Sequence, residues 1–196
     1  KVHHEGKAAV VIHCAMHSYH WKIPGETKHW PAMLGVTSPR HGRHAPIEVT
    51  NLAKDHPVMK GFPAKWKTPK GELYHIKKVW PTATVLAKGS IDGGKNFHDC
   101  VWLNEYGKGK VFGTTLGHHN ETMQEEVYLD LVSRGLLLLG LRRVFHNRFW
   151  CCLSGGVLPL DGLAPRSSFR GPFSLARVLV VTGKKCFHLG LVDDDA

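Results

Sequence analysis

The sequence lacks any apolar stretch long enough to cross a membrane. Its longest aliphatic run covers residues 136–141, whereas a spanning helix needs roughly 20 apolar residues. We therefore expect no membrane span. With 196 residues, 42% of them hydrophobic, the chain can bury one sizeable core, and a single main domain is the simplest interpretation.

Cysteine patterns typical of disulfide frameworks and zinc fingers are also missing. Of the five cysteines, Cys151 and Cys152 are adjacent and the other three lie far apart. This spacing matches neither a disulfide framework nor a Cys-x-x-Cys metal clip. We therefore expect mostly reduced thiols.

Acidic residues are few relative to basic ones. The chain has 26 Lys and Arg against 16 Asp and Glu, which gives a net charge of +10 and attracts anions. The lysines are nevertheless scattered, and no zinc-finger spacing, aromatic RNA-binding strand or basic helix accompanies them. No phosphate loop or dinucleotide fingerprint occurs either. We expect no nucleic-acid partner.

Several segments have the pattern of regular structure. Short β-branched or alternating runs predict strands, and apolar residues at helical spacing predict a helix over residues 122–141. Long Pro/Gly/His-rich connections, residues 38–46 and 56–69, are expected to be loops with a functional role. The predicted strands cover residues 8–14, 47–50, 83–87, 99–103 and 110–116.

The composition and the periodicity of the sequence change after about residue 143. Residues 143–196 show scattered aromatic, Cys, Pro and Gly residues without a sustained period, one strand-like piece at 177–182, and an acidic end. We interpret residues 1–142 as the domain and residues 143–196 as an irregular tail. The tail is either an irregular extension of the fold or the product of a shifted reading frame.

Two histidines follow a predicted strand directly. His118 and His119 come just after Gly117, and ligands of open α/β sheets bind beyond the carboxyl ends of the strands. Imidazole suits proton transfer near neutral pH and metal binding. We predict that His118 is catalytic or binds a metal and that His119 and Asn120 bind substrate. Asn120 could instead cap the following helix.

The end of the first predicted strand carries another candidate. Cys14, beside the small Ala15, could be a nucleophile at a strand-to-helix turn, but the flanking glycines of such a turn are missing. A packed structural thiol is the alternative. If the strand continues to Cys14, His13 points to the opposite face of the sheet.

A third candidate is the segment that contains Glu72 and Tyr74. A carboxylate on a loop can be a base, a metal ligand or an acceptor for a sugar hydroxyl, and Tyr74 could offer a ring face to a sugar. The alternative is a solvated glutamate beside a packed Leu-Tyr pair. His41 and His44 are additional candidates.

Six segments stand in order over about two-thirds of the chain: VVIHCAMHSY, LGVTSPRHG, DHPVMKGFP, GELYHIKKVWPTATVLA, VWLNEYGKGKVFGTTLGHHNETM and YLDLVSRGLLL. In combination, they resemble the ThuA-like (trehalose utilisation) family of the class I glutamine amidotransferase-like superfamily. The resemblance implies an α/β, flavodoxin-like three-layer sandwich with a mostly parallel sheet. It also implies that the chain is truncated at its N-terminus, so that the first strands are missing.

The resemblance also implies site residues. It places Cys14 near the amidotransferase nucleophile and His118 near its catalytic histidine. The missing glycines, and the absence of cysteine at this position in many relatives, weaken the case for glutamine hydrolysis and favour a role in carbohydrate metabolism. Gly71 stands where an acidic residue commonly precedes Glu-Leu-Tyr, which removes one charge from the site.

The leading hypothesis is a protein that acts on or binds a trehalose-type sugar, with His118, Glu72 and Cys14 as catalytic candidates. His13, His118 and Glu72 could bind a divalent metal such as zinc, since mixed His/Glu ligation with an open position is usual for catalytic zinc. The alternatives are a non-catalytic carbohydrate-binding or interaction module and a Cys14-dependent amidotransferase-like hydrolase. The expected partner is a small sugar, and a homo-oligomer is compatible with the sequence.

Overall fold

The structure is a computed structural model that describes residues 1–18 and 29–140 and the backbone of residues 178–182 and 185–189. These residues form twelve strands and three α-helices. The helices are α1 (His29–Leu34), α2 (Asn120–Met123) and α3 (Glu126–Leu138). The strands are β1 (Ala9–Ile12), β2 (Val36–Thr37), β3 (Arg40–His44), β4 (Glu48–Asn51), β5 (Lys65–Lys67), β6 (Glu72–His75), β7 (Lys78–Val79), β8 (Ala83–Ser90), β9 (His98–Tyr106), β10 (Gly109–Thr114), β11 (Val178–Thr182) and β12 (Lys185–Leu189).

Eight strands form one mixed sheet in the order β12-β11-β1-β10-β9-β8-β4-β5. Strand β1 pairs in parallel with β10 and β11, and the other described pairings of this sheet are antiparallel. The expected mostly parallel sheet is therefore wrong for the described part of the chain. The reason is that β8, β9 and β10 follow one another through short turns, and a short turn can join only antiparallel neighbours. The α/β class itself is confirmed.

The predicted elements are largely present, with changed bounds. The strands β8 and β9 extend beyond their predictions, and β1 ends at Ile12 instead of reaching Cys14. The predicted helix over residues 122–141 is two helices, because Glu125 has extended backbone between them. The expected loops at 38–46 and 56–69 contain β3 and β5. Most side chains of these two strands are exposed, so their sequences do not show the apolar–polar alternation that is typical of a half-buried strand.

Part of the predicted tail is described. The strand-like piece at 177–182 is strand β11, and β12 follows it as an antiparallel partner. Residues 143–177 and 190–196, with Cys151 and Cys152, lie outside the described residues. The division of the chain at residue 142 stays a prediction.

Both faces of the sheet are covered by apolar side chains. On one face Val10 and Phe112 belong to a buried cluster with Leu131 of α3. On the other face their neighbours Val11 and Val111 belong to a second cluster, which includes residues of α1. Burial on both sides explains why β1 is continuously apolar instead of alternating. No helix in the described part of the chain is long and apolar enough to cross a membrane.

Gly113 allows the two central strands to pack closely. A Cβ atom at this position would lie 2.3 Å from Cε2 of Trp102, which is fully buried on β9. The Trp102 Nε1–H donates to the carbonyl oxygen of Leu34 at 2.7 Å and so ties β9 to the end of α1. The indole therefore has little freedom to move away from an added methyl group.

We predict that Gly113→Ala lowers the free energy of unfolding by about 3 kcal/mol, because the new methyl group overpacks the core. Urea denaturation measures this loss. Gly93→Ala is the control: Gly93 has φ +68° and open space around it, so only the backbone penalty of about 1 kcal/mol applies. Equal losses in the two variants would contradict the packing argument.

Candidate functional site

Glu72 lies at the centre of the site, on strand β6, where it is almost completely buried. Strand β6 pairs with β3, and a register shift falls between His41 and His44 of β3. Both imidazoles contact the same carboxylate oxygen: Oε1 lies 2.9 Å from His41 Nδ1 and 3.0 Å from His44 Nε2. The expectation of a loop at Glu72 is therefore wrong, because the segment is held in a strand pair.

The other oxygen of Glu72 faces the ends of the two parallel strands. In the pairing of β1 with β10, Ile12 is the partner of Thr114, so the residues that follow both strands emerge at one edge. Glu72 Oε2 lies 3.1 Å from His13 Nε2 and 3.8 Å from His118 Nε2. The structure thus brings together His13, Glu72 and His118, the three residues predicted as metal ligands.

His13 adopts a rare backbone conformation. Its φ of +45° lies in the left-handed region, which is uncommon for residues other than glycine and typical of functional sites. Strand β1 ends just before it, and a 3-10 helix, His13–His17, begins there. The predicted strand 8–14 is therefore too long at its end, and the condition for placing His13 and Cys14 on opposite faces of the sheet is not met.

The hydrogen bond of His13 to the backbone fixes its tautomer. Nδ1 lies 2.7 Å from the carbonyl oxygen of Thr115, and a carbonyl oxygen can only accept. Nδ1 therefore carries the proton. Burial lowers the pKa of His13 from 6.5 to about 4, so the ring is neutral at pH 7 and Nε2 presents a lone pair to Glu72.

Glu72 keeps its negative charge in this buried position. Burial on its own would raise the pKa of Glu72, but the surrounding imidazoles, His41 foremost, more than offset this effect and the pKa is lowered. Burial also lowers the pKa of His118. An ionised carboxylate oxygen and an unprotonated ring nitrogen thus face each other at 3.1 Å.

His118 is positioned by the glycine before it. Gly117 has φ +99°, and a Cβ atom there would lie 2.3 Å from the hydroxyl oxygen of Tyr128. Past this glycine, His118 Nδ1 lies 3.1 Å from His119 Nδ1. His119 occupies the N-cap position of α2. The alternative role of Asn120 as the cap is therefore wrong, and its contact with substrate stays a prediction.

Tyr74 and Cys14 contact each other beside the imidazole cluster. Tyr74 is buried, and its ring packs edge-to-face on His13 with 4.7 Å between centroids. Its hydroxyl group shares a hydrogen bond with the thiol of Cys14, and burial raises the pKa of Tyr74. These contacts favour a supporting role for Tyr74. The catalytic role of Cys14 stays a prediction.

The site contains two sets of potential metal ligands among the described residues. The inner set is His13, Glu72 and His118, and the outer set is His44, His118 and His119. Within each set the donor atoms lie within 4.8 Å of one another. Sequence reasoning named His44, His118 and His119 as separate candidates but did not group them, because nothing in the pattern of residues 40–44 indicates a strand beside Glu72.

The family of the chain follows from a comparison with family models. The model described as ThuA, trehalose utilisation, matches residues 1–138. The chain belongs to the trehalose utilisation family. The resemblance of its motifs to ThuA-like proteins is thereby confirmed. His13, Glu72 and His118 all fall within the matched region.

Solved structures share the fold of this ThuA-family chain. A ThuA-like protein from Parabacteroides merdae is 21% identical, with a TM-score of 0.59 over 74% of this chain and 64% of that chain. One from Bacteroides uniformis is 20% identical, with a TM-score of 0.54 over 68% and 58%. The chain thus spans about three-fifths of the length of these relatives. No curated protein sequence matches it.

We predict that the metal-free ThuA-family chain loses stability as the pH falls from 6.5 to 4. In this window His13 takes up a proton in the unfolded chain but not in the folded one, so the unfolding free energy falls by about 3 kcal/mol. Urea denaturation across this pH range measures the slope.

His13→Asn should flatten the pH dependence, and asparagine tolerates the left-handed backbone at this position. Gly113→Ala serves as the control, since it should lower stability at every pH without changing the slope. An unchanged slope in His13→Asn would show that another group is responsible.

Proposed function

We propose that the chain is a metal-dependent protein of carbohydrate metabolism that acts on a sugar at the imidazole-lined site around Glu72. The family description, trehalose utilisation, supports the substrate class. The proposed ligands of the metal are His13 Nε2, Glu72 Oε2 and His118 Nε2. A divalent ion such as zinc suits this set of two imidazoles and one carboxylate.

The contact between His13 and Glu72 carries the proposal. Two hydrogen-bond acceptors 3.1 Å apart need a positive charge between them, which either a proton or a metal ion can supply. A tetrahedral zinc ion with bonds of 2.0–2.1 Å holds neighbouring ligand atoms about 3.3 Å apart, which is close to this separation. The lone pairs and their spacing therefore fit a metal better than an empty gap.

The surroundings of His13 match those of a metal ligand. Metal-binding histidines usually donate their second ring N–H to a carbonyl or carboxylate group, which fixes the ring. His13 does this through Nδ1 and the Thr115 carbonyl oxygen. The strained backbone of His13 is a cost that a binding role explains, because strain of this kind persists where function requires a fixed geometry.

The open side of the site offers groups for proton transfer. A bound divalent ion would polarise a sugar carbonyl or hydroxyl oxygen. His41 and His44 are exposed and contact Glu72 Oε1, so either ring could take the proton of a substrate hydroxyl as general base. Glu72 would hold that ring in position and stabilise the charge that the proton brings.

We predict that metal-free protein binds Zn²⁺ and that Glu72→Gln weakens this binding by about 100-fold or more, because the amide has no charge to offer the ion. Competition with a chromogenic chelator measures the affinity. His4→Ala, at an exposed histidine outside the cluster, is the matched control and should bind as the native protein does. Equal affinity of Glu72→Gln and the native protein would refute the metal site.

Turnover separates the proposed enzyme from its alternatives. We predict zinc-dependent conversion of a trehalose-type sugar that is lost in His118→Ala and kept in Cys14→Ser, since the ligand set does not include the thiol. Chromatographic analysis of the products measures this conversion. Loss of turnover in Cys14→Ser would favour the amidotransferase-like hydrolase. Sugar binding by calorimetry without turnover would favour a carbohydrate-binding module.

A further inference from the structure

The outer side of the site gathers three imidazoles from two separate parts of the chain. His44 lies on β3, and His118 and His119 follow β10. The ring centroid of His44 lies 4.6 Å from that of His118 and 5.2 Å from that of His119. All three side chains are exposed or partly exposed, so an ion could reach them from solvent.

The two ring nitrogens of His118 face different groups. Nε2 lies 3.8 Å from Glu72 Oε2, toward the inner ligand set. Nδ1 lies 3.1 Å from His119 Nδ1, toward the outer set. One imidazole can therefore serve both sets without competition for the same nitrogen atom.

The spacing of the outer donors also fits a cation. Nitrogen atoms 3.1 Å apart are close to the separation of about 3.3 Å expected for neighbouring ligands of tetrahedral zinc. His44 Nε2 in turn lies 3.0 Å from Glu72 Oε1, which brings a carboxylate oxygen next to the imidazoles. This oxygen supplies negative charge beside the outer ligand set.

We propose that His44, His118 and His119 bind a second divalent cation and that His118 bridges the two ions through Nε2 and Nδ1. The inference rests on the proposed function, because His118 is shared with the inner ion. On binding both ions the bridging imidazole releases its remaining ring proton to solvent. A set of imidazoles selects zinc, copper or nickel over magnesium and calcium, so the second ion belongs to the first group.

The second ion would extend the reactive surface toward solvent. A sugar with two neighbouring oxygen atoms could then place one oxygen on each ion, which fixes its orientation better than a single contact. The outer site thus favours substrates with an adjacent pair of hydroxyl or keto oxygens over those with one isolated oxygen.

Stoichiometry tests this proposal. Metal-free native protein titrated with Co²⁺, followed by its visible absorption, should take up two equivalents, whereas His119→Asn and His44→Ala should take up one. His4→Ala should keep two. Loading with two equivalents of Cu²⁺ should give the reduced electron paramagnetic resonance signal of coupled ions, because one imidazole joins them.

The outcomes separate the two proposals. One equivalent in the native protein, lost in Glu72→Gln, would overturn the second ion and leave the inner one standing; His119 would then only accept the N–H of His118 and position it. No uptake would overturn both. Two equivalents in His119→Asn, or two uncoupled copper signals, would overturn the bridged outer site.

Discussion

The buried charge of Glu72 is the constraint that the rest of the site satisfies. A carboxylate removed from water is costly unless opposite charge or donors surround it. Here the compensation comes mainly from imidazoles on two separate elements, strand β3 and the residues after β10, while the ring of His13 after β1 completes the cluster. Each oxygen of the carboxylate faces its own group of rings. The site therefore forms only when the strand pairs β1–β10 and β3–β6 are both in register.

This constraint gives the inner and outer faces of the site different properties. His13 is buried and hydrogen-bonded to the backbone, so its protonation and orientation are fixed. His41 and His44 are exposed to solvent. Under the proposed function, the fixed ring would bind the ion and the exposed rings would transfer the proton. One carboxylate would then serve both roles through its two oxygen atoms.

The sequence permits prediction of part of this arrangement, and the limits have physical causes. His13 and His118 could be placed together because each follows a short apolar run with β-branched residues, which is typical of a buried strand. The position of Glu72 beside them depended on the resemblance to a family. The sequence names His41 and His44 as candidates but does not place them beside Glu72, since β3 exposes most of its side chains and has no hydrophobic alternation. The left-handed backbone of His13 has only a weak sequence signal, because histidine is enriched at such positions but glycine is the residue that usually marks them.

The candidate site lies beyond the carboxyl ends of two strands, where ligands of parallel sheets bind, although the described sheet is mostly antiparallel. Such a site needs only one parallel pair, because two parallel neighbours end at the same edge, whereas antiparallel neighbours end at opposite edges. The β1–β10 pair meets this condition. An antiparallel arrangement of the same two strands would place His13 and His118 a strand length apart, about 13 Å for four residues. The parallel orientation of this one pair is therefore what makes a shared ligand site possible.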